Sequence, residues 1–387
     1  MKILYDYQAF DMQCFGGVSN CFVKLIENLP KGYDYEIALR ESDNIHLKDS
    51  CLKVRFESRK LYEGNFIRRK KFKGRGWLYR RFEDFFPRVT SHGRNQQCSI
   101  NALRKGDFDV FHPTFFHPYF LKYLNGKPYV LTIHDMIPEL FFSNKHKQVR
   151  WKPILCERAS HIIAVSEKTK EDLVNILHVP EEKINVIYHG APEIKYNSLS
   201  KPIIDGRYIL YVGQRSNYKN FLPMMKSLVP VLKRHSDINV ICTGPELQNS
   251  ELSELKKIGI VQRVLHYNVT DEMLANLYTH ALFFIYPSSY EGFGIPILEA
   301  YNAHCPVFLN DASCFPEIAK DAAIYFHLDN SSSNLEQVVE KFLNENIIER
   351  NNLIVKQNKR LVDFSWSKSA IQLADVYQLV INKSKQL

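Results

Sequence analysis

The sequence predicts an α/β protein of two domains, each built on a parallel sheet. Three observations carry that prediction. Short apolar runs that read as buried strands alternate with helix-spaced stretches along most of the 387 residues. The alternation halts in a segment with Pro192, Pro202, Ser198 and Ser200 and no apolar periodicity, 191–206, and then starts afresh. Glycine-bearing loops follow several of the runs, at the strand ends where a parallel sheet holds its ligands. Length makes two domains the default, and the boundary is placed at 1–200 and 201–365.

In the first half, Lys2–Tyr7 reads as the opening strand. Gly16-Gly17 follows a short loop. Val18, Cys21, Phe22, Leu25, Ile26 and Leu29 then share one helical face, which predicts an amphipathic helix over 17–29. Tyr35–Leu39 is a strand, and a basic, aromatic stretch follows it. Asp107-Phe108-Asp109 reads as a capped turn before a strand Val110–Phe116. Tyr129–Ile133 is a buried strand ending at His134-Asp135, so the imidazole stands where a parallel strand presents a site. Next come a helix 147–158, a strand His161–Val165, a helix capped by Ser166 and running to about Leu177, and a strand Ile184–Tyr188.

The second half repeats the plan. Strand Tyr208–Val212 leads through a loop, Gly213–Asn220, into a helix 221–234. Strands Ile238–Cys242 and Arg263–His266 follow, then a helix from Thr270 to Ala281. Strand Leu282–Tyr286 precedes a glycine turn and a further helix. Pro306–Asn310 and Ala323–Phe326 add strands, 333–361 reads as helical, and Ser365-Trp366-Ser367 starts a final helix to about Lys383.

The most informative stretch is 286–304. Gly292 and Gly294 can take positive φ in the turn after the strand, and Pro296 suits a first helical position. Glu299 would lie in that helix's first turn and Glu291 in the loop before it. Carboxylates accept hydrogen bonds from vicinal hydroxyls, as on ribose or a hexose. The backbone N–H groups of Phe293, Gly294 and Ile295 can hold hydroxyls or phosphate oxygens without a side-chain charge. Arg215 and Lys219, four apart after strand 208–212, suit a diphosphate: one as a planar fork, one as a compact charge. A nucleotide sugar carries all of these groups. An ordinary strand–turn–helix with solvated glutamates, and a loop that merely contains two cations, are the competing readings.

Pro-Ser-x-Tyr-Glu-Gly-Phe-Gly-Ile-Pro-x-Leu-Glu-Ala, at 287–300, resembles the signature of the retaining family 4 glycosyltransferases, which have the GT-B fold. The likeness extends to the Gly16-Gly17 loop, Val-Leu-Thr-Ile-His-Asp at 130–135, and Tyr-Val-Gly-x-Arg-x-x-Tyr-Lys-Asn at 211–220. It covers nearly the whole chain and thins between about 40 and 105. It implies two Rossmann-like domains facing a cleft, the first completed by the terminal helix 366–387. It implies that Arg215 and Lys219 stabilise charge on the leaving diphosphate. Glu291 and the Phe293, Gly294 and Ile295 backbone would hold the sugar, Glu299 the ribose, and His134 would orient the sugar from the opposite domain. Gly16 and Gly17 would face the donor phosphates and the acceptor. Neither a metal nor another cofactor is called for. Two departures stand out: Asn20 and Gln214 occupy positions where relatives often carry Arg, so Arg215 comes one residue late.

Composition bounds the setting. Cysteines at 14, 21, 51, 98, 156, 242, 305 and 314 include no C-x-x-C pair and no zinc spacing, as expected of reduced thiols in a cytosolic protein. The first thirty residues carry Lys2, Asp6 and Asp11 and lack a signal-peptide core. No apolar run approaches a membrane span. The net charge is +9, yet 53–105 alone holds sixteen Lys or Arg against four acids. That stretch reads as a solvated face with inward aromatics, as a dock for anionic lipid headgroups around Arg68-Arg69-Lys70-Lys71, or as a nucleic-acid surface, for which no motif is present. The expectation is a peripheral enzyme on the inner membrane face with no nucleic-acid partner. It would move a hexose from a nucleotide-diphosphate sugar to a glycan or lipid-linked glycan, as in polysaccharide or O-antigen assembly. Tyr-Lys-Asn-Phe at 218–221 resembles bacterial mannosyltransferases of that kind, which favours GDP-mannose and leaves a UDP-sugar open. Another GT-B enzyme (a sugar phosphorylase or a nucleotide-sugar epimerase) and a non-catalytic membrane or nucleic-acid adaptor are the alternatives.

Overall fold

The computed structural model describes residues 1–67, 74–192, 201–215, 217–329, 332–345 and 347–385. The Arg68–Lys71 run and the middle half of the 191–206 segment, 193–200, lie outside them. The chain divides into two compact units: Met1–Val165 with Thr169–Tyr188 and Trp366–Leu387, and Ser166–Lys168 with His189–Ser365.

The N-terminal unit is built on six parallel strands: β1 (Lys2–Tyr5), β2 (Asp34–Ile37), β3 (Val110–His112), β4 (Val130–Ile133), β5 (His161–Ala164) and β6 (Ile184–Val186). They run in the orders β2-β1-β3 and β4-β5-β6, joined by an isolated parallel bridge between Phe111 and Tyr129. Val130–Ile133 and His161–Ala164 are buried along their whole length, the pattern of a sheet covered on both faces. Strand β3 stops at His112 rather than Phe116. Pro113 has no N–H for the ladder, and Thr114 turns instead to Asp6, whose Oδ1 accepts from its N at 2.9 Å and its Oγ1 at 2.7 Å.

Two helices seal this core. Helix Gly17–Glu27 buries Cys21, Phe22, Leu25 and Ile26 beside Ile3 and Tyr5. Helix Trp366–Ser384 brings Ala370, Leu373, Val376, Tyr377 and Val380 into the same cluster at three- and four-residue spacing. The Tyr377 hydroxyl meets the Tyr5 hydroxyl at 2.8 Å and His112 Nδ1 at 2.6 Å, while His112 Nε2 meets Thr132 Oγ1 at 2.9 Å. One buried chain of hydrogen bonds thus ties the helix to β1, β3 and β4. The region where the family likeness thins holds helices Arg75–Phe85 and Ser91–Lys105. Thr90 Oγ1 caps the second by accepting from Gly93 N–H at 3.1 Å, and Gly106 ends it with a φ of +69°.

The second unit has one six-stranded parallel sheet: β7 (Arg207–Tyr211), β8 (Ile238–Cys242), β9 (Val264–His266), β10 (Phe283–Tyr286), β11 (Val307–Asn310) and β12 (Ile324–Phe326). The order is β12-β11-β10-β7-β8-β9. The chain walks outward from β7 to β9, returns to β10 on the other side of β7, and walks out again to β12. Strand order therefore reverses between β7 and β10. Helix Phe221–Arg234 places Phe221, Met224, Met225, Leu228 and Val231 in the core. Beside them Phe283 stacks on Phe308 at 4.0 Å, with Phe342 edge-on to both. The helical segment expected over 333–361 is two helices, Leu335–Leu343 and Ile347–Leu361. Asn344 ends the first: its own Nδ2 donates to Glu340 O at 2.9 Å, a local bond that competes with helix continuation.

Candidate active site

Because β7 and β10 are neighbours, the loops leaving their carboxyl ends meet. In an open α/β sheet that reversal point is where a crevice for ligands forms. Asn220 takes the left-handed conformation, φ +52°, as the residue before helix Phe221–Arg234. Its Nδ2 donates to Pro287 O at 3.1 Å. Ser289 donates to Tyr218 O from both N, at 2.8 Å, and Oγ, at 3.0 Å. This lacing brings Lys219 Nζ onto Glu291 Oε1, and Ser288 Oγ donates to the same oxygen at 2.7 Å. The two charged side chains are only 14% and 9% exposed, so they are paired in a poorly solvated place. The Tyr218 and Tyr286 rings stand 5.1 and 5.7 Å from the ammonium. Burial, reinforced by the Glu291 charge, holds the Tyr286 phenol well above its usual pKa, so it stays neutral.

The turn after Glu291 is shaped by what it cannot hold. Gly294 sits at φ +100°, and a Cβ there would lie 3.1 Å from Ile297 Cδ1. Gly292 is not in the left-handed region, contrary to expectation. The helix begins at Ile295, so Pro296 is its second residue and Glu299 stands in its second turn. The turn's carbonyls are pinned from behind. Ser313 Oγ donates to Glu291 O at 2.9 Å, Ser166 Oγ to Gly292 O at 2.7 Å, and Cys314 Sγ to Phe293 O at 3.2 Å. In a trans peptide the N–H points opposite to the carbonyl. The N–H groups of Phe293 and Gly294 are thus aimed away from these anchors. The Ile295 N–H joins them as a helix-start donor with no intrahelical partner.

Glu299 accepts a hydrogen bond from Tyr278 OH at 3.0 Å. Burial pushes its carboxyl up to about 7; the Tyr278 bond pulls the other way and the Asp271 charge adds to the rise. Arg215 is not brought to Lys219. Its Nε donates to Glu251 Oε1 at 3.0 Å and its other nitrogens to the carbonyls of Thr243, Pro245 and Glu246. The two cations expected to act together face different partners. Ser288, Asn220, Ser313 and Tyr278 were not foreseen as site residues; Ser288 reaches Glu291 within its own loop, while the partners of the other three lie on other loops or helices, where nothing local in the sequence marks the pairing.

In the N-terminal unit, Gly16 precedes the first residue of helix Gly17–Glu27 in extended backbone. A Cβ on Gly16 would meet Gln13 Oε1 at 2.1 Å, whereas Gly17 has open space around it. His134 follows β4, and Phe22 of that same helix stands edge-on to its ring at 6.0 Å. The helix that the glycine loop starts is therefore packed against the imidazole. Burial, with the Lys152 charge adding to it, drops His134 to about 4, so the ring is neutral at physiological pH. Asp6, just past β1, is fully buried and was not foreseen as more than a polar residue. It accepts from Thr114, Gln8 and Tyr119 and fixes the floor under this strand end. The Asp107-Phe108-Asp109 pair is structural: Asp109 accepts from Lys2 N–H at 2.7 Å and Asp107 pairs with Lys2 Nζ at 3.0 Å.

Two family profiles match the chain in tandem: Glycosyltransferase Family 4 over residues 15–193 and Glycosyl transferases group 1 over residues 200–360. The chain belongs to the group 1, family 4 glycosyltransferases. Within this family it is 26% identical over 218 residues to the O-antigen chain mannosyltransferase RfbU of Salmonella typhimurium, covering 54% of this chain and 61% of that one. It is 29% identical over 234 residues to a GDP-mannose:cellobiosyl-diphosphopolyprenol alpha-mannosyltransferase of Xanthomonas oryzae, covering 58% and 60%. The match thus spans about three fifths of the length of each of these relatives. Among solved structures, HepE of Anabaena in complex with UDP and glucose superposes with a TM-score of 0.70 at 15% identity, over 98% of this chain and 99% of that one. The two parallel Rossmann-like sheets are those of the GT-B fold. Among the described residues, no helix of this family member is long and apolar enough to cross a membrane.

Proposed function

We propose that this glycosyltransferase moves a hexose from a nucleoside-diphosphate sugar, with retention of anomeric configuration, to a glycan or lipid-linked glycan acceptor of cell-surface polysaccharide assembly. The observation that carries the reading is the meeting of Lys219, Glu291 and the turn before helix Ile295–Asn302 at the β7–β10 reversal point. Breaking the bond between sugar and diphosphate builds negative charge on the leaving phosphate. Lys219 and the outward N–H groups at the helix start are fixed donors for that charge as it develops. The Glu291 carboxylate holds the Lys219 ammonium in place and keeps an oxygen for the sugar hydroxyls. Glu299 binds the ribose hydroxyls when ionised. Arg215 acts one step back: it holds the 243–246 loop in position and does not itself touch phosphate. In the N-terminal unit the neutral His134 offers a hydrogen bond to a sugar hydroxyl without adding charge, and Gly16-Gly17 leaves room for a ligand to approach the backbone.

The names of the relatives support mannose as the sugar and guanosine as the base: one is named for GDP-mannose and another is an O-antigen mannosyltransferase. The test is a thermal-unfolding panel with GDP, UDP, CDP, dTDP and ADP. A ligand at a hundred times its Kd adds about 2.7 kcal/mol to the native state, a shift of several degrees for a domain of this size. GDP is expected to raise the unfolding temperature of the wild type and to leave Lys219→Ala nearly unmoved. A shift with UDP alone would replace the donor base. No shift with any of the five, on folded protein, would remove the nucleotide-sugar reading.

A further inference from the structure

The sequence left open whether the aromatics of 53–105 turn inward or outward, and helix Arg75–Phe85 answers for its own residues. Tyr79 faces the protein: it is 5% exposed, donates to Glu83 Oε1 at 3.0 Å, and receives Phe66 edge-on at 5.4 Å. Trp77, Leu78, Arg81 and Phe85, at i, i+1, i+4 and i+8, share the opposite side of the helix. Trp77 is 61% exposed and Phe85 74%, and Phe86, the next residue, is 55% exposed. Arg81 lies over the Trp77 ring at 5.9 Å. Phe86 leans instead on Phe82 at 5.2 Å, so the outward aromatics of the helix are Trp77 and Phe85, flanked by Leu78.

A second feature adjoins it along the chain. Three residues past Phe85, Arg88 lines a cavity of about 280 Å³ with Arg40 and Arg94. Arg94 is held by both oxygens of Glu41, at 2.6 and 2.9 Å, so its charge is met. Arg40 and Arg88 are exposed and form no ion pair among the described residues. Two open guanidinium forks beside one cavity fit a phosphate.

We propose that this face of the N-terminal unit docks on an anionic bilayer, with Trp77 and Phe85 in the headgroup region and the Arg40–Arg88 cavity holding one lipid phosphate. Aromatic rings favour that interfacial layer, and basic side chains beside them gain from the negative surface. The exposed Asp84 opposes the docking by one charge. An eleven-residue amphipathic helix is a weak anchor alone, so the two features act together. The proposal deepens the reading of a lipid-linked acceptor and rests on it for its purpose. Binding to vesicles is measured without donor or acceptor, so it can fail while the nucleotide panel succeeds, and the reverse.

The experiment is co-sedimentation at 150 mM salt with vesicles of phosphatidylcholine alone or with about 30% phosphatidylglycerol. Wild type is expected to bind only the anionic vesicles, with a blue shift of tryptophan emission that Trp77→Phe removes. Trp77→Ala with Phe85→Ala should weaken binding at least about tenfold. Arg40→Gln with Arg88→Gln should weaken it about 25-fold, or about fivefold per charge, and flatten its salt dependence. All four positions are exposed, and unchanged thermal unfolding of each variant would show that the fold is kept. No wild-type binding, equal binding to both vesicle types, or binding untouched by both double variants would overturn the proposal. So would tighter salt-sensitive binding of a single-stranded RNA that the same variants abolish, since that would assign the face to nucleic acid.

Discussion

The ribose contact proposed for Glu299 would make nucleotide binding depend on pH. The Glu299 carboxyl ionises near 7 because burial disfavours the charge, and only the ionised form accepts two hydrogen bonds from a pair of ribose hydroxyls. Nucleoside-diphosphate affinity is therefore expected to rise between pH 6 and 8, and Glu299→Gln to flatten that rise while lowering affinity at pH 8. Calorimetric titration across the interval would check it; an identical pH slope in the variant would take Glu299 out of the ribose contact. The sign for stability is opposite. A carboxyl raised above its unfolded value near 4.5 favours the folded state below that pH and loses the contribution as pH rises through about 7. At this scale the sequence was partly legible. Lys219, Glu291 and the glycine turn stood in a recognisable order, and the structure brings them together. The disposition of Arg215 was not legible, because its partner Glu251 lies beyond an intervening helix and strand and opposite charges leave no local mark. Nor was the first residue of helix Ile295–Asn302, since Pro is accommodated at either of the first two positions of a helix.

Among elements, helix Trp366–Ser384 is the most exposed to single-residue tests. Tyr377 donates or accepts within a buried triad with Tyr5 and His112, so Tyr377→Phe leaves His112 Nδ1 and the Tyr5 hydroxyl short of a partner. A loss of about 1–3 kcal/mol is expected, read as a fall of several degrees in the unfolding temperature by circular dichroism. An unmoved transition would mean that the triad does not hold the helix. Strands were the best-read elements. Ile238–Cys242 falls where it was expected because Ile238 and Val240–Cys242 are buried apolar residues, while Asn239 is half-buried and accepts from Arg263 Nε at 2.9 Å. The misses came at ends. Pro113 cut β3 short by removing a donor, and Asn344 divided one helical pattern into two through a side-chain bond. Helices Arg75–Phe85 and Ser91–Lys105 were unread because charge and aromatic content there obscure any apolar periodicity.

For the molecule as a whole, buried imidazoles set the response to acid. Burial drops His112 to about 3 and both His117 and His134 to about 4. The unfolded chain takes up these protons near 6.5, so the stability they lend is full above that pH and is lost as pH falls toward 4. His92 runs the other way: burial opposes its charge, but Asp11 at 2.6 Å outweighs this and raises it. Burial lowers His161 as well, so with four imidazoles against one the unfolding temperature of the N-terminal unit is expected to drop steadily from pH 7 to 4.5. Scanning calorimetry at several pH values would show it, and a flat profile would contradict the burial of these rings. The family and the two parallel sheets were legible in the sequence, since alternation and motif order survive without contact information. The discontinuous make-up of the first unit has a further consequence. Its core includes Leu373, Val376 and Tyr377, which leave the ribosome only after 189–365 have been made. During synthesis at about 5–20 residues per second, the early strands must wait roughly ten to thirty seconds with one side of their core uncovered, while the second unit has its whole sheet in hand. The part of the chain translated second is thus the part able to finish folding first, and the waiting interval is when a chaperone would meet this protein.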